Sequence, residues 1–152
     1  MWRLESKKVL VTGGTKGIGK ASVEQFLELG AEVLFTARTS SEVEDLENEL
    51  MDQGYKVKGL VADASKLSDS EKVLKWISES WSSLDVLVNN AGINIRKKAH
   101  EYSEEEYKKV LDINLVAPFT LSRLLFPLLK ISDGSTIINV ASSAALQDVG
   151  TG

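Results

Sequence analysis

Five short apolar runs recur along the chain: Val9-Leu10-Val11, Val33-Leu34-Phe35, Val57 to Val61, Val86-Leu87-Val88 and Ile137 to Val140. They are rich in valine and isoleucine and lack the strict polar alternation of a strand with one wet face. Such near-continuous hydrophobicity is what strands buried on both faces of a parallel sheet require, because helices must cover both sides. Five strands are therefore expected, and the class is α/β.

The stretches between them carry helical spacing and helical start signals. Ser41 and Glu44 stand at capping-box distance, with Val43, Leu46, Leu50 and Met51 on one face before a stop at Gly54. Ser68 and Glu71 repeat the device ahead of Val73, Ile77 and Trp81. Ser103 and Glu106 repeat it again, opening a long helix through Tyr107, Val110, Leu111 and Asn114. A further helix carrying Ala21, Phe26 and Leu29 follows the first strand. Strand and helix alternating with right-handed crossovers give a doubly wound parallel sheet of Rossmann type. No repeat, low-complexity tract or linker divides residues 1–152, so one dinucleotide-binding domain is expected.

Composition narrows the partners. With 18 basic and 22 acidic residues intermixed and a net charge of -4, there is no cationic stripe to track a phosphate backbone, and nucleic acid is not expected. The chain has no cysteine and a single His100 without a ligand cluster, so neither a disulfide framework nor a metal site is expected. The first apolar run, Val9 to Val11, is too brief for a signal peptide or a membrane span. A cytoplasmic protein without membrane contact is the expectation.

The first strand empties into Thr12-Gly13-Gly14-Thr15-Lys16-Gly17-Ile18-Gly19, just ahead of a helix. Gly13 permits the tight turn, Gly17 lets the backbone approach a pyrophosphate, Gly19 allows close helix packing, and the helix start offers free N–H groups to an anion. The spacing differs from the usual Gly-x-Gly-x-x-Gly register. Gly14 to Lys20 also comes near a P-loop, but the position that would hold magnesium is Ala21, which has no hydroxyl.

Four further pieces join this turn: Asp63 after the third strand, Asn89-Asn90-Ala91-Gly92 after the fourth, Asn114 in the long helix, and Asn139-Val140-Ala141-Ser142-Ser143 closing the fifth. In this order and spacing the chain resembles the short-chain dehydrogenase/reductase family, in particular its tropinone-reductase-like and 3-oxoacyl-carrier-protein reductases. The resemblance implies a sheet of order 3-2-1-4-5. It also implies a cofactor site drawing on Gly13, Thr15, Lys16, Gly17, Ile18 and Gly19, with Asp63 bonding the adenine ring and Asn90, Ala91 and Gly92 lining the adenosine and ribose side. Ser142 matches the family's catalytic serine, with Ser143 the alternative one position on, and Asn114 matches the asparagine whose main-chain carbonyl anchors a proton relay. Pro118, four residues after Asn114, has no N–H to offer that carbonyl and so helps to keep it available.

The carboxylate that accepts a ribose 2′-hydroxyl in NAD sites lies at the end of the second strand. Here Ala37 stands there, followed by Arg38, whose planar guanidinium suits a 2′-phosphate, and Lys16 adds a second positive charge. NADP(H) is the expected cofactor, and a small ketone or secondary alcohol the expected substrate. In the family a tyrosine and a lysine four residues later complete the catalytic group about a dozen residues beyond the serine. Here Tyr55, Tyr102 and Tyr107 are followed at that spacing by Gly59, Glu106 and Leu111. The chain therefore reads as the cofactor-binding portion of a longer enzyme, expected to be inactive when alone, and further strands of the whole enzyme would cover the open edge of the fifth. A non-catalytic NADP(H)-binding module is the alternative, and the resemblance leaves a homo-oligomer open for the full-length protein.

Overall fold

The computed structural model describes residues 3–142. Five parallel strands, β1 (Lys8–Thr12), β2 (Glu32–Ala37), β3 (Val57–Val61), β4 (Val86–Asn89) and β5 (Thr136–Asn139), lie in the order β3-β2-β1-β4-β5. Each expected strand is present, and the order is that of the family resemblance.

Alternation within the apolar runs explains why they are apolar throughout. Val9, Val11, Val33, Phe35 and Val88 face one layer, where they meet Val23 and Leu27 of α1 (Gly17–Glu28) and Val43, Leu46 and Leu50 of α2 (Ser40–Asp52). Leu10, Leu34 and Leu87 point the other way, against Val73 and Ile77 of α3 (Leu67–Ser80) and Leu121, Leu125 and Leu129 of α5 (Ala117–Ile131). Two helical layers thus seal both faces of the sheet over β1, β2 and β4, and stepping one of these strands by one residue would exchange two equally apolar sets. On β5 all four residues are exposed, leaving its outer edge open among the described residues.

Several local expectations shift. In α1 the stripe facing the sheet is Val23 and Leu27, whereas Ala21 is exposed and Phe26 and Leu29 are only partly covered. The helix starts before Ser41 and Ser68 are not the expected boxes. Thr39 and Lys66 are the N-cap residues, neither with a side-chain cap, so both serines lie inside the first turn, where a hydroxyl cannot reach the backbone N–H of a following third residue. Met51 is exposed, and Trp81 ends α3 edge-on to Trp76 at 5.1 Å. The third box is present: Ser103 Oγ accepts from Glu106 N at 3.1 Å, and Glu106 accepts from Ser103 N at 3.0 Å, opening α4 (Glu104–Leu111).

The long helix is not continuous α. Asp112–Val116 form a π turn in which Ala117 N–H reaches back to the Asp112 carbonyl, and α5 begins immediately after it. Pro118 sits in the first turn of α5, where a missing N–H costs least. The whole stretch Glu104–Ile131 is long and apolar enough, by length and composition, to cross a membrane, with a mean hydropathy of 1.3 over its most apolar window. Its Leu121, Leu125 and Leu129 stripe is nevertheless seated on the sheet, while Leu115, Phe119 and Phe126 are exposed.

Candidate functional site

A parallel sheet of this order reverses direction between β1 and β4, and the loops leaving their carboxyl ends must part there and open a crevice. A cleft of about 370 Å³ lies at these strand ends. It is lined by Gly13, Thr15 and Lys16 after β1, Arg38 after β2, Asp63 after β3, and Asn90 to Gly92 after β4, with Ile113 of the π turn closing one side.

The β1–α1 turn is built by close approach. Gly13 has φ +66° and Gly17 φ +54°, a region that side chains disfavour. Gly19 is constrained by contact instead: a Cβ there would stand 2.0 Å from the Gly13 carbonyl oxygen and 2.5 Å from Asn90 Nδ2. Beneath the turn, Thr12 Oγ1 donates to the Val88 carbonyl at 3.3 Å and accepts from the backbone N–H groups of Asn90 and Ala91, both at 3.0 Å. The Asn90 amide donates to the carbonyls of Thr12 and Gly13 at 2.9 and 3.1 Å. Asn90 therefore borders the cleft while its amide group locks β4 to the glycine turn. Asn89, almost fully buried, donates to Ser122 and Asn139 and plays no part in the lining. The α1 start carries no side-chain cap and no acid in its first turn, so its leading N–H groups remain suited to an anion.

Charge is arranged in two pairs. Lys16 Nζ lies 2.7 Å from Glu42 Oε1, and Thr15 Oγ1 donates to Glu42 Oε2 at 3.1 Å, so the first turn of α2 reaches across to the glycine turn. The hydrogen bond from Lys16 holds the Glu42 carboxyl below its ordinary value. Arg38 donates no hydrogen bond among the described residues but lies near enough to Asp63 to act on its charge. Burial works to raise the Asp63 carboxyl, yet the two bonds from Ser65, with Arg38 and Lys66 beyond, hold it below its ordinary value. Asp69 fixes this corner by accepting from Asp63 N at 2.9 Å.

Asn114 is placed by the π turn, not by a regular helix. Its side chain grips the loop after β4 from both sides: Oδ1 accepts from Ile93 N at 2.9 Å and Nδ2 donates to the Ile93 carbonyl at 2.8 Å. A Cβ on Gly92 would come within 3.3 Å of Asn114 Oδ1. Two such bonds contribute about 1 kcal/mol each. In Asn114→Ala the Ile93 amide should lose about tenfold in hydrogen-exchange protection. Unchanged exchange at Ile93 would show that the loop holds itself.

The structure thus gathers Gly13, Thr15, Lys16, Arg38, Asp63, Asn90, Ala91 and Gly92 into one cleft. Gly17, Ile18 and Gly19 follow Lys16 in the first turn of α1 and are not part of the lining, and Ile18 is largely exposed. Ser142 stands three residues past the end of β5, outside the lining, and Ser143 lies outside the described residues. The sequence reading missed Glu42, Thr39 and Ile113 in the cleft wall. An acid in the first turn of α2 is the local sign for Glu42, and the capping-box spacing of Ser41 and Glu44 masks it.

Comparison with known proteins agrees with this geometry. A family model described as short chain dehydrogenase matches residues 7–152. A tropinone reductase homolog of Arabidopsis thaliana is 41% identical over 152 residues, covering 99% of this chain and 58% of its own length. A tropinone reductase homolog of Datura stramonium is 35% identical over 95% of this chain and 54% of its own. The chain therefore spans little more than half the length of these relatives. Among solved structures, L-sorbose reductase from Gluconobacter frateurii, complexed with NADPH and L-sorbose, superposes with a TM-score of 0.94 at 27% identity, covering 98% of this chain and 57% of that one. The Pseudomonas aeruginosa RhlG/NADP complex gives 0.90 at 30% identity, covering 97% and 59%. With its sheet order, glycine turn and strand-end cleft, the chain belongs to the short-chain dehydrogenase family.

Proposed function

We propose that this chain is the cofactor-binding part of an NADP(H)-dependent oxidoreductase that interconverts a small ketone and its secondary alcohol. The observation that carries the cofactor choice is the end of β2. Ala37 closes the strand without the carboxylate that a ribose 2′-hydroxyl needs, and Arg38 follows in the cleft wall. The cleft fits a dinucleotide by its donor set. Gly13, together with the close-packed Gly19, shapes the pyrophosphate turn, the uncapped α1 start supplies N–H donors, Asp63 suits an adenine amino group, and Arg38 suits a 2′-phosphate. Two structural neighbours, L-sorbose reductase complexed with NADPH and RhlG complexed with NADP, support the same choice.

When bound, the nicotinamide supplies or accepts the hydride. The residues of this chain bind and orient. Asn90 and Thr12 keep the turn in shape, Asn114 holds the loop at Gly92 and Ile93, and by family resemblance its main-chain carbonyl anchors a proton relay. Ser142 is assigned, also by resemblance, to bond the substrate carbonyl as its oxygen gains charge. The chain contains no tyrosine followed four residues on by lysine, so the 152 residues alone are expected to bind cofactor without turning it over.

Arg38→Asp tests the assignment. It removes a guanidinium and sets a carboxylate beside the 2′ position, and should shift the ratio of NADPH to NADH affinity by about 100-fold toward NADH. Isothermal titration with both cofactors reads the ratio. An undiminished preference for NADPH would remove Arg38 from the site.

A further inference from the structure

Two cations border the region where the preceding reading seats a 2′-phosphate, but one of them is already taken. Lys16 Nζ is 2.7 Å from Glu42 Oε1, and the second carboxylate oxygen accepts from Thr15 at 3.1 Å. Both partners belong to the glycine turn, 26 and 27 residues away in sequence, and Glu42 is itself in the cleft lining beside Arg38 and Thr39. The carboxylate thus puts negative charge and acceptor oxygens where a phosphate would look for donors. It is also the less exposed member of the pair, at 32% against 76% for Lys16. Nothing in the packing of α2 demands this arrangement, since the helix is seated through Val43, Leu46 and Leu50.

We propose that Glu42 is a specificity-determining residue that acts as an internal competitor for the 2′-phosphate. This rests on the NADP(H) reading. Glu42 holds Lys16 and Thr15. For NADPH to bind, Lys16 must leave Glu42 or be shared between that carboxylate and a phosphate of like charge, and either route lowers affinity. NADH brings no charge to this corner, so its binding is nearly indifferent to Glu42. The residue therefore narrows the gap between the two cofactors that Arg38 and Lys16 open.

Glu42→Gln keeps the size of the side chain and one acceptor oxygen for Lys16, and its amide NH2 can donate to the Thr15 hydroxyl, while the charge is removed. In titration calorimetry of the 152-residue chain it should bind NADPH about 5-fold more tightly than the unaltered protein, the scale of like-charge repulsion in a solvated corner, with NADH changed less than about 2-fold. Glu42→Ala should act in the same direction. Glu49→Gln, which removes the same charge from a pair with Lys20 outside the cleft lining, should change neither cofactor by more than about 2-fold at physiological salt. Weaker NADPH binding in Glu42→Gln would overturn the proposal and make Glu42 a clamp that positions Lys16 and Thr15. Equal gains for both cofactors, an unchanged ratio, or the same gain from Glu49→Gln would overturn it as well. An unaltered protein that prefers NADH would instead sink the NADP(H) reading on which the proposal stands.

Discussion

Gly19→Ala is expected to destabilise the fold by about 2–4 kcal/mol and to weaken NADPH binding at least about 100-fold in the molecules that remain folded. The new Cβ would meet the Gly13 carbonyl oxygen at 2.0 Å and its carbon at 2.9 Å, and neither is a flexible side-chain end that can step aside. Relief requires α1 to retreat from the turn by about 1 Å, at the expense of packing by Val23 and Leu27. The same Cβ strikes Asn90 Nδ2 at 2.5 Å, the group that holds the Thr12 and Gly13 carbonyls. Gly17→Ala provides the contrast. Its Cβ would meet nothing within 4 Å, but φ is +54°, so the cost is backbone strain of about 1 kcal/mol. Urea denaturation and cofactor titration of both variants separate contact from strain. Near-native behaviour of Gly19→Ala would mean that the turn is far more yielding than its geometry states.

Asp85→Ala should lower stability by about 3 kcal/mol while leaving the cofactor affinity of the folded fraction unchanged. Asp85 is 8% exposed and sits at the amino ends of the strands, away from the cleft. One carboxylate oxygen accepts from Lys8 N at 2.9 Å. The other accepts from Lys7 Nζ at 2.8 Å and from the Ser132 hydroxyl. Its backbone joins Lys8 and Thr136, so this one residue ties β1, β4 and β5 together. Burial works to raise the carboxyl, but the bonds from Lys7, Ser132 and Lys8 prevail and hold it below its ordinary value. A depressed native pKa means stability that is fully present above the unfolded value and lost as pH falls through the native one. The unaltered protein should therefore lose stability from about pH 4 downward, and Asp85→Ala should lose less over that window. Parallel pH profiles would assign the acid sensitivity to other carboxylates.

The sheet was legible because burial on both faces leaves no room for polar positions. Val9 to Val11 and Val33 to Phe35 had to be apolar at every residue, and that pattern fixes both element and class. β5 was legible by the same run even though its residues are exposed. Helix starts were harder to read. Ser103 with Glu106 is a true capping box, whereas Ser41 and Ser68 share its spacing but each lie two residues too deep, because the cap depends on where the chain turns. Pro118 marked a missing N–H but could not disclose the π turn ahead of it. In the site, Gly13, Arg38, Asp63 and Asn90 were legible as motif positions. The Asn114 grip on Ile93 and the Glu42 bridge to Lys16 were not, since each joins segments more than 20 residues apart and neither leaves a local pattern.

The central claim, a cleft made for NADP(H), is tested most directly by titrating the unaltered 152-residue chain with NADPH and NADH under identical salt and pH. The cations at the end of β2 and in the glycine turn predict NADPH binding at least about tenfold tighter than NADH, with the difference shrinking as salt is raised. Equal affinity, or a preference for NADH that salt does not alter, would contradict it.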